Sequence, residues 1–149
     1  MMKNIHGLIV LFTCLTLHLT AQKNVLGKGE DQIKMFNAQQ SYYSGDFQKA
    51  ANIYRDLLSE RPNDANLMGR IADCYLHLGQ YADAQTNAEK AKSIDEKAYD
   101  NTSLVLGRLY HMNGKLDEAL AEYNMFKEIV GSTKKAQESQ IDMYIAQIN

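Results

Sequence analysis

The chain has 149 residues, 45% hydrophobic and 23% charged, with a formal net charge of −2, one proline and two cysteines. That is the size of one ordinary domain, rich in helix formers, and its Lys and Arg are interspersed with Asp and Glu, which excludes the clustered basic face that nucleic-acid binding requires. No glycine-rich phosphate loop, nucleophile elbow or metalloprotease helix motif occurs, so the chain reads as a non-enzyme with no cofactor and no small-molecule substrate.

Residues 1–21 read as an export signal peptide. Lys3 precedes a run from Leu8 to Leu19 that is apolar apart from Thr13, Thr16 and His18, and Thr20-Ala21-Gln22 offers a small residue for cleavage. The run falls well short of the roughly 20 apolar residues of a membrane-crossing helix, and nothing later resembles a span. Cys14 lies within it, but a lipid-bearing cysteine wants Gly, Ala or Ser directly before it, and Phe12-Thr13 departs from that. Cleavage after Ala21 removes Lys3 and no acid, leaving a slightly more acidic chain whose one cysteine, Cys74, can form no internal disulfide. Residues 22–30, with Gly27 and Gly29, read as a flexible lead.

From there the sequence echoes itself. Ala38, Gly45 and Ala50 recur as Ala72, Gly79 and Ala84, and again as Gly107, Gly114 and Ala119, which divides the chain into units 31–64, 65–98 and 99–132. In the first unit Phe36, Ala38, Tyr42, Phe47, Ala50, Tyr54, Leu57 and Leu58 fall three or four apart on either side of Gly45, the pattern of two amphipathic helices joined by a hinge. A glycine there reverses the chain by taking positive φ, and Asp46 caps the next helix. The second unit places Met68, Ile71, Ala72, Tyr75, Leu78, Tyr81, Ala84, Ala88 and Ala91 on buried faces, and the third supplies Leu106, Gly107, Tyr110, Leu116, Ala119, Tyr123 and Phe126. Asp117 and Glu118 sit in the first turn of a helix, where they complement its dipole and are structural. After Gly131-Ser132-Thr133, the segment 133–149 carries Ile141, Tyr144, Ile145 and Ile148 on one face and reads as a capping helix, with the start of a fourth unit as the alternative.

This set resembles the tetratricopeptide repeat, whose pattern is a large residue, Gly or Ala, an aromatic, a turn glycine, an aromatic, Ala, an aromatic, Ala, then Pro. Glu96 stands where the closing proline is expected, Ala88 replaces an aromatic, and one extra residue lies between Ile94 and Asn101. The resemblance implies an all-α fold: a right-handed α-solenoid of three helix-turn-helix units plus a C-terminal capping helix, with Ala38, Gly45, Ala50, Ala72, Gly79, Ala84, Gly107, Gly114 and Ala119 as its structural residues.

It also implies a partner-binding groove on the concave face, lined by the first helix of each unit. That face would carry Gln32, Met35, Gln39, Tyr42 and Tyr43, then Asn66, Gly69, Arg70, Asp73 and His77, then Asn101, Leu104, Arg108, His111 and Met112. Its apolar residues suit a peptide side chain, its amides a peptide backbone, and Arg70 and Arg108 a carboxylate. Chaperone-binding members grip a C-terminal carboxylate with a Lys and an Asn; Met35 and Gln39 stand at those positions, so the resemblance does not extend to that activity. Cys74, His77 and His111 form the one conceivable metal set, but no pair has finger-like spacing, and they read as a buried thiol and two solvated imidazoles.

The combination of a signal peptide and such repeats is similar to the leading segment of exported bacterial envelope proteins. It implies an adaptor for a protein or peptide partner in the periplasm or at the periplasmic face of the outer membrane, within an assembly or secretion complex. The alternative is a structural spacer or dimerisation stack whose last helix makes the contact.

Overall fold

The computed structural model describes residues 29–131 and 135–148; the expected signal peptide, most of the lead and the Ser132-Thr133 break lie outside the described residues. Seven helices account for nearly all of the described chain, with no strand among them: α1 (29–43), α2 (Phe47–Glu60), α3 (Ala65–His77), α4 (Tyr81–Ile94), α5 (Asn101–Met112), α6 (Leu116–Val130) and α7 (Lys135–Ile148). Helix α1 begins at residue 29, inside the segment expected to be a lead, with Glu30 bridging Lys34 one turn on at 3.2 Å.

The helices pair as hairpins because each hinge repeats one backbone solution. Gly45, Gly79 and Gly114 have φ of 83°, 73° and 72°. The amide after each reaches back five residues: Asp46 N–H to Ser41 C=O at 2.8 Å, Gln80 N–H to Tyr75 C=O at 2.9 Å, and Lys115 N–H to Tyr110 C=O at 2.9 Å. This closes the first helix through its orphan carbonyls and turns the chain antiparallel. Asp46 then caps α2, its carboxylate accepting from Lys49 N–H at 3.1 Å, and Asp64 caps α3 in the same way from Leu67 N–H at 3.0 Å.

Hairpins of this length cannot bury an apolar face alone, and the core is distributed along the stack. A first cluster joins Ala38, Ala50, Ala51, Tyr54 and Leu57 to Leu67, Ile71 and Cys74 of the next unit. A second joins Ala72, Leu76, Ala84 and Ala88 to Val105, Leu106 and Leu109. A third joins Ala119, Tyr123, Phe126 and Val130 to Ile141 of α7, with Tyr144, Ile145 and Ile148 packed against it. Each unit thus hides the face of its neighbour, and α7 closes the last one, with Lys127 bonded to Asp142 at 2.5 Å across the joint. No helix among the described residues is long and apolar enough to cross a membrane.

Three residues expected on buried faces are exposed instead: Phe36 at 59%, Tyr81 at 48% and Leu116 at 41%. Phe47, which opens α2 as Tyr81 opens α4, is half-buried because the His77 ring of the following unit stacks on it at 4.3 Å. Met112 occupies the matching position one unit on and is itself exposed, so Tyr81 has no such cover. Phe36 lies at the first end of the stack, where no described helix precedes it.

Candidate functional site

One stripe of α3 carries Asn66, Arg70, Asp73 and His77, spaced four, three and four apart, and the neighbouring units converge on it. At its centre Asp73, only 4% exposed, is an acceptor for three donors. Its Oδ2 accepts from the Tyr42 hydroxyl at 3.0 Å, the Tyr99 hydroxyl at 2.8 Å and Asn101 Nδ2 at 3.0 Å. His77 Nε2 lies 3.7 Å from Oδ1 and 3.3 Å from the Tyr42 hydroxyl. Burial, reinforced by the Asp73 charge, drives the Tyr42 and Tyr99 phenols far above their ordinary range, so both stay protonated and donate. A buried carboxylate of the second unit, satisfied by donors from the first and the third, ties the three units together.

Above this knot the Arg70 guanidinium lies over the Tyr99 ring, 4.7 Å from its centroid, and 5.9 Å from that of Tyr54. Its Nε donates to Asn66 Oδ1 at 2.7 Å, and Asn66 Nδ2 in turn donates to the Ala98 carbonyl. Arg70 is therefore held over the aromatic rings by a fixed amide.

A second grouping forms where α5, α6 and α7 meet. Arg108, His111 and Met112 from α5, Tyr123 from α6 and Tyr144 from α7 line an open recess of about 280 Å³. Tyr123 and Tyr144 stack, with centroids 5.6 Å apart and planes within 16°, and the Tyr123 hydroxyl lies 3.4 Å from His111 Nδ1. Burial, with Tyr144 beside it, pushes the Tyr123 phenol up to about 12. Tyr123 can lie there because residue 107 is glycine: a Cβ at that position would stand 2.6 Å from the tyrosine ring.

The sequence-derived groove residues thus divide. Tyr42, Asn66, Arg70, Asp73, His77 and Asn101 come together in the α3 network, and Arg108, His111 and Met112 come together in the recess. Met35 and Gln39 are half-buried, and Met35 packs on the first cluster; Leu104 packs on the third. Tyr43 is 81% exposed, edge-on to Tyr42 at 5.7 Å. Two expectations are corrected. Asp73 is a buried tie between units rather than an outward ligand group, and Gly69, also buried, is a close-packing position at which a Cβ would stand 2.5 Å from Thr102 Oγ1 and 2.9 Å from Tyr99 Cβ. One physical cause underlies both: the longer connection between α4 and α5 folds Tyr99 inward over α3. Tyr99 was absent from the sequence reading, although the extra residue before Asn101 and the missing side chain at Gly69 are its traces.

The structural alanines Ala38, Ala50, Ala72, Ala84 and Ala119 are all fully buried. Cys74 lies inside the first core cluster, its thiol pushed up to about 12 by burial and by Asp73, while His77 is stacked on Phe47 and His111 faces Tyr123.

Residues 42–98 match the family model for the tetratricopeptide repeat. No curated protein matches the chain. Among solved structures, the Yersinia enterocolitica type III secretion chaperone SycD in complex with a peptide of the translocator YopD is 18% identical, with a TM-score of 0.67 over 78% of this chain and 90% of that one. The tetratricopeptide domain of Arabidopsis OM64 is 20% identical, with a TM-score of 0.62 over 75% and 93%. The first such domain of Spaghetti (RPAP3), bound to the HSP90 peptide SRMEEVD, is 18% identical, with a TM-score of 0.61 over 78% and 93%. The repeated hinge and the distributed core agree with the matched segment: residues 42–98 carry the tetratricopeptide repeat, and the described chain has the fold of tetratricopeptide repeat domains.

Proposed function

We propose that this protein is an exported adaptor that holds an extended segment of a partner protein, in the periplasm or at the periplasmic face of the outer membrane, as part of an assembly or secretion complex. The observation that carries the binding reading is the recess at the third unit. There an arginine and an exposed thioether stand beside stacked aromatic walls in an open space of about 280 Å³, large enough for one side chain. Apolar and aromatic surface would take a peptide side chain, and Arg108 would orient a carboxylate or a backbone carbonyl next to it. Peptides in the SycD and Spaghetti (RPAP3) structures, and the chaperone binding region of PopD in the PcrH structure, support such a role on this fold.

The mechanism is display of a preformed surface. The Asp73 knot fixes the three units relative to one another, so the partner meets a template already ordered and only the partner loses conformational entropy. Capture from an envelope extract tests this. Partners held by the wild type should be lost with Arg108→Ala combined with Met112→Ala, while melting is unchanged; retention of the same partners would refute the reading. Export is tested separately by sequencing the N-terminus of the protein from a periplasmic fraction, where it should begin at Gln22.

The spacer reading draws on Met143, 54% exposed on α7. Under it, Met143→Glu rather than the recess variant would abolish assembly.

A further inference from the structure

The outer face of α1 has the composition of a joint. Ile33 and Phe36 are 63% and 59% exposed, and Tyr43 completes with them and Gln40 a stripe spaced three, four and three apart. The repeat register says what that stripe is for. The equivalents of Ile33, Phe36 and Gln40 on α3 are Leu67, Arg70 and Cys74, and on α5 Thr102, Val105 and Leu109, whereas His77 and Met112, the equivalents of Tyr43, lie at the edge of the face and are exposed. Leu67 and Cys74 are fully buried, and Thr102, Val105 and Leu109 are each 1% exposed. Leu67 and Cys74 pack against residues of α2, and Val105 and Leu109 against residues of α4. Positions 33, 36 and 40 are therefore the surface by which a unit stacks on the second helix of the unit before it, and among the described residues no such helix exists for α1.

We infer that this stacking face is filled by the same face of a second copy, the two α1 helices packing antiparallel about a two-fold axis near residue 38, so that each supplies the other with the missing helix. Three features select a second copy. The spacing is that of a coiled-coil seam, apolar at three of its four positions. The stripe is self-complementary when reversed: Ile33 of one copy falls opposite Tyr43 of the other, and Phe36 opposite Gln40, as a two-fold interface requires. The seam also carries no charge, and the nearest ammonium, Lys34, is held by Glu30 at 3.2 Å and Glu60 at 3.3 Å, so two copies can meet without burying like charges. The surface lies apart from the recess at the other end of the stack, leaving both recesses of a dimer open.

Sedimentation equilibrium of the full chain tests the assignment. The wild type should show a concentration-dependent mass of two copies, and Phe36→Glu should halve it with helical content retained. Ile33→Glu alone should also give single copies, and adding Tyr43→Lys should restore the dimer, because opposite charges then face each other across the seam. A single-copy mass for the wild type at every concentration reached, including one in which another segment shields Ile33 and Phe36, or a dimer that survives Phe36→Glu, would overturn the inference. Failure of the charge pair to restore association would overturn the antiparallel register.

Discussion

Gly107 is the tightest point of the third unit. A Cβ there meets two Tyr123 ring carbons at 2.6 Å, so the ring, buried and stacked on Tyr144, has to leave its packed position to admit one. Gly107→Ala should therefore cost about 1–3 kcal/mol by urea unfolding, even though alanine is the better helix former by roughly 1 kcal/mol at an exposed site. The same substitution should displace Tyr123 and close the recess. The buried phenols make a second prediction at this scale. Below pH 10 a tyrosine is protonated in both the folded and the unfolded chain and contributes no pH dependence. Between its ordinary 10.0 and about 12, Tyr123 ionises in the unfolded chain while the fold still holds its proton, so stability falls as pH rises through that window, by at most about 1.4 kcal/mol per pH unit for this residue. Tyr42 and Tyr99 shift in the same direction for the same reason. Tyrosinate absorbance should show these phenols ionising together with loss of helical circular dichroism rather than ahead of it.

Among the elements, the hinges were the most legible part of the sequence, because positive φ has a narrow chemical solution. A glycine at the same place in each of three units, followed by a helix start, left few alternatives, and the three observed φ values lie within about ten degrees of one another. Gly79→Val is the direct test. Space around a Cβ at that position is open, so any cost comes from the backbone alone, and a loss of about 1–3 kcal/mol is expected in thermal or urea unfolding. No measurable change would remove the hinge from the account. The connection between α4 and α5 was not legible to the same degree. A repeat pattern states which residues face inward within a unit; it does not state where an inserted residue sends its neighbours. Tyr99 thus took Gly69 and Asp73 out of the expected groove and turned the latter into a tie between units.

For the molecule as a whole, the register of three units gave the fold, while the ends of the stack departed from it for a physical reason. Inner units are covered on both sides, and a periodic reading assigns Phe36 the burial of its counterparts; at the first end that neighbour is missing among the described residues, and Phe36 is exposed. The other end has α7, and Ile141, 1% exposed in the third cluster, is its anchor. Ile141→Ala should cost about 2–5 kcal/mol, and because units unfold against their nearest neighbours, amide exchange should rise first in α5 and α6 and last in α2 and α3. The candidate site was legible as a face but not as a place: Arg108, His111 and Met112 were named from α5 alone, whereas the walls contributed by Tyr123 and Tyr144 depend on how α6 and α7 close over it.

The central claim is that a preformed surface at the third unit receives the partner. Amide hydrogen exchange on the complex with a captured partner tests it most directly. The account predicts new protection across residues 104–112 and 141–148, with α2 and α4 unchanged from the free protein. Protection confined to α2 and α4, or absent from α5 and α7, would contradict it.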